Sequence, residues 1–558
     1  MNHKSLQRRQ FLQAALPCVG LAALAGAGNV RGADASKPDV TGIFNVRDFG
    51  ANGDGVAFDT VAIQAAIDAC EKIGGGKVVL QGGIFLSRTI YLKSNVTLYI
   101  EAGAVLRGTA NLEDYAEIHP AYVTYTYSYR SFIYAENTEN ISILGKGAID
   151  LSGSNFPAQQ KHHAGGMEWG QSPFGLLLVQ CRNLTLRDIT VRNCPMAAIR
   201  IVAGENVLVE GVVIDNRVRI SCDGIEIVSS REVCVSNCHV YSWDDGICIK
   251  SSSPDVCRNI TITNCTIRSL CNAIKFGTES TGGFENITVS NCTIEGGVES
   301  SGEHAGWRSI NGLALMIVDG GVMNQVNVSN LVMRGVRTAI FLHIGNRARL
   351  YSPDQPTPGI GILKNVSISN IIAEVVDGDY CCSIIGEPGH PIENVVLDNI
   401  QIRHPGGGTR ELAARSVMEL PKDYPESIMY GPLPAYGFYC RHAKGITLRK
   451  IKFQLTVADF RPAIVCEDVE NFELSGLHAA NSGNEPLVRL RQVRHALFQN
   501  CQPQAENFLA IEGEQSADVA LLANDLRSVR NAVTKADKFT GEVSEVGNLR
   551  GKNLWKNL

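Results

Sequence analysis

Asn259-Ile260-Thr261-Ile262-Thr263-Asn264 is answered one interval later by Asn286-Ile287-Thr288-Val289-Ser290-Asn291. The same phrase stands upstream as Asn206-Val-Leu-Val-Glu-Gly and Glu232-Val-Cys-Val-Ser-Asn. Downstream it returns as Gln325-Val-Asn-Val-Ser-Asn, Asn365-Val-Ser-Ile-Ser-Asn and Asn394-Val-Val-Leu-Asp-Asn. Every copy alternates apolar with polar residues and favours Val, Ile and Thr, the mark of a half-buried strand. The starts at 206, 232, 259 and 286 lie 26, 27 and 27 residues apart, which suits one turn of a three-sided coil of short strands. The repetition predicts an all-β fold, a right-handed single-stranded parallel β-helix with rungs ~4.8 Å apart. Helices or leucine columns at the turns, as in a leucine-rich solenoid, are absent, and a propeller needs longer four-stranded blades.

Working outward, Asn237, Asn264, Asn291, Asn330, Asn370 and Asn399 close equivalent strands. They predict an Asn ladder at a turn, where Asn tolerates left-handed backbone. Weaker copies begin at Gly445, Asn471 and His495, and the gap from 394 to 445 must hold a surface loop. A solenoid end exposes unpaired strand edges and needs a cap. Residues 60–73 predict a short N-terminal capping helix, with Asp59 as N-cap, Ile63, Ala66, Ile67 and Cys70 as its apolar stripe and Gly74 as its stop. The coil is expected over 36–505, with 506–558 as a far cap and polar tail.

The chain has 558 residues and a net charge of −5, with no basic patch interleaved with aromatics. Nucleic acid is therefore not an expected partner. In residues 1–35, Arg8-Arg9-Gln10-Phe11-Leu12 runs into an Ala- and Leu-rich stretch ending at Ala33-Asp34-Ala35. This resembles a bacterial twin-arginine (Tat) export signal and implies a periplasmic or secreted protein, with no membrane association after its removal. Seventeen cysteines in an exported chain suggest disulfides. Yet Cys238, Cys265 and Cys292 share one repeat phase, which predicts a buried column of free thiols.

Stacking the Gly-Ile-x-Ile cores brings chemistry together. Ser221-Cys-Asp-Gly-Ile-Glu-Ile227 aligned on Trp243-Asp-Asp-Gly-Ile-Cys-Ile-Lys250 puts Asp223 on Asp245, with Asp244 one residue before. The columns then run Ala197, Asp223, Asp245, Asn272, Asn311, Thr338; Arg200, Glu226, Cys248, Lys275, Ala314, Phe341; and Val202, Val228, Lys250, Gly277, Met316, His343. One outer face is expected to hold three aspartates with Glu226, Lys250, Lys275 and His343. Clustered carboxylates suit glycosidic bond cleavage, where one group donates a proton and another activates water. Cations beside them suit an anionic sugar. An Asp-Gly pair alone would be a turn that supports positive φ, and Glu226 would pair with Lys250 or Lys275. Tyr122, Tyr125, Tyr127 and Tyr129 could stack on sugar rings or pack a loop, and His162, His163 and His304 fall in loops.

Three segments then carry a resemblance: Asn45-Val-Arg-Asp-Phe-Gly-Ala-Asn-Gly-Asp-Gly55, Leu92-Lys-Ser-Asn-Val-Thr-Leu-Tyr-Ile100, and Asp223-Gly with Asp244-Asp245-Gly-Ile-Cys-Ile-Lys250. Over roughly residues 45–500 the chain resembles glycoside hydrolase family 28, the polygalacturonases and rhamnogalacturonases. The resemblance implies single-displacement hydrolysis of an acidic plant-type polysaccharide or oligosaccharide, with inversion. It implies Asp244 as general acid, Asp223 and Asp245 on the attacking water, and no cofactor or metal.

The chain also departs from the family. Where polygalacturonases carry Gly-His-Gly it has Cys271-Asn272-Ala273, and Ala314-Leu315-Met316 replaces Arg-Ile-Lys. Lys250, Lys275, Asn272, His343 and Arg347, with Arg349 beside it, are the expected substrate contacts. The divergence favours a linkage such as rhamnogalacturonan, or an exo mode. The residues leave two other functions open: a β-helix lyase with Ca²⁺ on the acidic trio, or an inactive glycan-binding solenoid. Oligomeric state is not read from the sequence.

Overall fold

The structure is a computed structural model, and it describes residues 42–551 apart from 127, 157–171, 219–220 and 298–307. The export segment 1–35, Tyr127, His162, His163 and His304 lie outside the described residues. The described chain is a right-handed parallel β-helix in which the registered strand pairs run parallel. One turn is made of Ile225–Val228, Arg231–Ser236 and His239–Ser242. The next turn, Ile247–Ser251, Cys257–Thr263 and Thr266–Ser269, lies directly on it.

The period-2 pattern works as predicted. Ile199, Ile225, Ile247, Ile274, Leu313 and Ile340 pair rung to rung and are fully buried in one continuous core. Each such side chain contributes about 1.5–3 kcal/mol of apolar burial. Asn291, Asn330, Asn370 and Asn399 form an amide ladder, each side chain donating to the one before at 2.9 Å, and all have φ between 54° and 57°. A second ladder, not anticipated, runs through the strand starts Asn95, Asn140, Asn183 and Asn206 at 2.7–2.9 Å. Cys238, Cys265 and Cys292 are buried and unbridged.

Two ends of the coil depart from expectation. The helix Thr60–Lys72 buries Ile63, Ala66, Ile67 and Cys70 against the first rungs. Asp59 precedes it but makes no side-chain cap; its carboxylate instead accepts from the backbone N–H of Asn52 and Gly53 at 2.6 and 3.1 Å. At the far end the rungs continue beyond 505. Asn507–Glu512 pairs with Asn531–Lys535, and Ala517–Leu522 with Val543–Val546. The repeat is hidden there because Asp518 and Ala523 take the left-handed position that Asn held earlier. Among the described residues no helix is long and apolar enough to cross a membrane.

One feature of the coil matters most for chemistry. The connection 405–437 joins Ile392–His404 to Phe438–Leu455 and folds back over the outer face. Its Val417, Tyr430 and Leu433 pack on Ala314, Met316 and Phe341. Apolar residues in the outward columns thus become the seat for a loop.

Candidate active site

The predicted register places the acidic residues together. Arg200, Glu226, Cys248, Lys275, Ala314 and Phe341 are successive partners across five strand pairs. The Asp-Gly turns that present the aspartates do not use positive φ; neither Gly224 nor Gly246 has it. These glycines are needed for space. A Cβ on Gly224 would stand 2.4 Å from the carbonyl of Gly246, and one on Gly246 2.6 Å from that of Ala273. Only a bare Cα lets the rungs close at the turn.

Asp223 Oδ1 and Asp244 Oδ1 both accept from the backbone N–H of Asp245, at 3.1 and 3.0 Å. Asp223 and Asp245 are buried, while Asp244 is the member of the trio with solvent access. Ser242 and Ser269 hydroxyls hold the Asp244 carbonyl at 3.0 and 2.6 Å. Asn216, which sequence reasoning missed, is fully buried and donates to the carbonyls of Met196 and Asp223 at 2.8 and 3.0 Å. Burial pushes the Asp223 carboxyl well up, helped by Asp244, Glu226 and Asp245 and opposed by Lys250. Burial and then Asp245 also raise Asp244, against Lys275 and Lys250. Carboxylate oxygens of Asp244 and Asp245 approach within 4.8 Å of each other. That is tighter than the roughly 6.5–9.5 Å between the carboxyls of inverting pairs.

The cations differ from expectation in their duties. Lys250 Nζ binds Asp223 Oδ2 at 3.0 Å and pairs with Glu226, which also pairs with Arg200. Lys275 Nζ lies 3.1 Å from Asp245 Oδ2. Both lysines are buried and balance the acids of the chain itself, so neither stands as the unpaired grip for substrate that was expected. Glu226 is the structural partner foreseen for Lys250. Asn272 donates to Asp245 Oδ1 at 2.7 Å and accepts from Asn311 at 2.7 Å.

His343 does not reach this face. It is buried under the connection 405–437, stacked on Phe341 and edge-on to Tyr430, with burial pushing its pKa down to about 4. The column that predicted it meets an irregularity two rungs earlier, although Met316 still pairs with His343. Ile249 pairs with Phe276 but Ser251 pairs with Ser280, so Gly277 leaves register and the segment bulges. The bulge carries Thr278 and Glu279 toward Arg347 and Arg349. Arg349 bonds Asp319 at 2.6 Å and Thr278 at 2.7 Å, lies 3.6 Å from Glu279, and sits 5.5 Å from the Tyr125 ring. Arg347 has only Thr278 Oγ1 at 3.5 Å and the face of Tyr424 at 4.9 Å; among the described residues no carboxylate lies within ion-pair reach of it. Tyr122 is tied by its hydroxyl to Ser253 and Asp255, both at 2.6 Å, as a packed loop would have it, and the exposed Tyr129 ring lies tilted against His119 with centroids 4.5 Å apart.

Two residues of the site come from the connection 405–437. Tyr424 is 52% exposed, with its hydroxyl 3.3 Å from Lys275 Nζ. Glu426 is buried; its carboxylate accepts from Asn272 at 3.1 Å and Asn311 at 3.0 Å and lies 3.5 Å from Lys275. No repeat phase could have found them.

Fold and site together define a parallel β-helix with a cluster of acids and cations on one outer face. The model of glycosyl hydrolases family 28 matches residues 73–418, and the chain belongs to that family. An exo-poly-alpha-D-galacturonosidase of Dickeya chrysanthemi is 28% identical over 253 residues, covering 37% of this chain and 41% of that protein. A probable polygalacturonase of Vitis vinifera is 28% identical over 216 residues, 37% of this chain and 43% of that protein. The chain thus spans about two-fifths of the length of these relatives. A family 28 exopolygalacturonase of Yersinia enterocolitica shares the fold at TM-score 0.61 and 22% identity, over 78% of this chain and 79% of that one. The family match stops at 418, before Tyr424 and Glu426.

Proposed function

We propose that the chain hydrolyses glycosidic bonds in pectic, galacturonate-containing polysaccharides or oligosaccharides by single-displacement acid/base catalysis. Membership of family 28 supports the reaction class, and the galacturonate-acting names of its relatives support the substrate class. The observation that carries the reading is the convergence of Asp223 and Asp244 on one N–H, with Asp244 alone of the trio open to solvent. Asp244 keeps its proton through burial and like-charged neighbours, and gives it to the leaving glycosidic oxygen. Asp223 and Asp245, each held by its own lysine, orient a water between them, and one carboxylate of the pair takes its proton as it attacks the anomeric carbon. Arg347, whose cation faces Tyr424 and has no acidic partner among the described residues, is the group we assign to a sugar carboxylate. The exo mode of the Dickeya chrysanthemi relative is the mode we favour.

The test is incubation with homogalacturonan, rhamnogalacturonan and short oligogalacturonates, with products read by mass. Products heavier by one water per cut are expected. An unsaturated product that absorbs in the ultraviolet, or binding without any product, overturns the reading. Export is part of the same proposal and rests on Arg8-Arg9 and the apolar stretch after it; retention of the chain inside cells with an intact twin-arginine system would refute it.

A further inference from the structure

The resemblance leaves a gap on the Asp245 side, because Asn272 stands where polygalacturonases carry histidine. The structure fills that gap from an unexpected direction. Glu426 is 154 residues from Asn272 in sequence, and its carboxylate meets Asn272, Asn311 and Lys275, the groups that also hold Asp245 or each other. Its two oxygens divide the work: Oε1 takes Asn272, and Oε2 takes Asn311. A carboxylate can accept on both sides, whereas a glutamine in the same pose would turn one donor against an amide N–H. Asn272 has its amide N–H aimed at Asp245 Oδ1 at 2.7 Å and shares the same nitrogen with Glu426. Lys275 likewise lies between Asp245 and Glu426.

The anchoring of the connection makes this placement firm. Val417, Tyr430 and Leu433 are seated on Ala314, Met316 and Phe341, and Ala314 and Met316 stand where the family motif has Arg and Lys. Losing those two cations therefore creates the apolar seat that delivers the acid. The thiol of Cys271 is 3.8 Å from Glu426, and Asp244, Asp245 and Tyr424 are its other titratable neighbours. Burial raises Glu426, Lys275 opposes, and Asp245 adds to the rise.

We infer that Glu426 is a positioning residue for the reaction proposed above: it fixes the Asn272 and Lys275 donors on Asp245 and so takes over the supporting place that histidine holds in polygalacturonases. The inference rests on the hydrolase reading for its kinetic consequence, but its geometric content stands apart from activity.

The experiment compares Glu426→Gln, Glu426→Ala and Glu426→Asp with Glu419→Gln, a control on the same connection that pairs with Arg441 and His442. Full-chain protein is used, with folding checked by thermal unfolding. In Glu426→Gln and Glu426→Ala we expect kcat to fall about tenfold or more, as for loss of a supporting contact, with KM little changed. Their pH–rate optimum should move to lower pH, because removing a negative neighbour lowers the pKa of Asp244. Glu426→Asp should recover part of the rate, and Glu419→Gln should match the parent. Crystal structures of Glu426→Ala should show Asn272 and Lys275 displaced from Asp245. If both stay in place, or if kcat and the pH profile match the parent in an active enzyme, the inference fails. If the parent makes no product, the hydrolase reading fails alone, and the displacement of Asn272 and Lys275 still decides the positioning role.

Discussion

The two flanks of the aspartate trio are built differently. On the Asp223 flank the ion pairs among the described residues are made between strands of the coil itself: Lys250 and Glu226 are on adjacent strands, and Arg200 is one strand pair before Glu226. On the Asp245 flank the rungs supply Asn272, Asn311 and Lys275, but the acid that gathers them arrives from residues 405–437. The first flank is a product of the repeat. The second exists only because a loop found an apolar seat on the same face. A repeat can therefore carry the reactive groups while an insertion between repeats tunes them.

The sharpest blow to the whole comparison is Asp244→Asn. It removes the part-buried carboxyl that both flanks serve, and kcat should drop by about 10²–10⁴-fold with unfolding unchanged. Near-parental turnover would show that the acid lies elsewhere and that the two flanks do not support a common centre.

Glu226→Gln breaks the repeat-built flank. It leaves Arg200 and Lys250 buried beside a neutral amide, so denaturant unfolding should register a loss of about 3–5 kcal/mol. A loss below the effect of ordinary surface changes would mean that this flank is solvated after all. Arg347→Ala probes the rim where the loop and the bulge meet. Because Arg347 holds no acid of its own, its loss should raise KM for galacturonate substrates about ten- to hundredfold at steady kcat. Stability should hold, and an unaltered KM would remove the carboxylate grip assigned to it.

The smallest effect concerns acid. Burial alone would raise Glu279, but Arg349 and Lys250 hold it down to about 2. Its folded pKa lies below its usual value, so its stabilisation is complete above the ordinary carboxylate range near 4.5 and is lost as pH falls toward about 2. Unfolding measured between pH 5 and 2 should be less steeply pH-dependent in Glu279→Gln. Identical slopes would show that the bulge carries no such pair in solution.

Much of this was legible in the chain because a β-helix repeats in sequence what it stacks in space. The repeated phrase of Asn259–Asn264 and Asn286–Asn291 marked the rung, and the rung marked the column that joins Asp223 to Asp245 and Arg200 to Glu226 and Lys275. Legibility failed where a long connection or a changed marker residue intervened. His343 keeps the register projected for it, paired with Met316, but the connection 405–437 covers it and leaves it in an apolar pocket against Phe341 and Tyr430. The rungs past 505 were missed because Asp518 and Ala523 took the place of the marker Asn. Lys250 and Lys275 were located, but their ion pairs with Asp223 and Asp245 were not read, since these depend on side-chain reach, which a column does not encode.

By itself the sequence determined the coil, its register and the meeting of three aspartates, because these follow from local periodicity repeated at a fixed interval. Only the tertiary structure decided which cations are paired with the chain's own acids, and that Tyr424 and Glu426 close over the site. Those outcomes depend on where a long connection packs, and that is set by the shape and apolarity of a surface assembled from Ala314, Met316 and Phe341 on two neighbouring rungs.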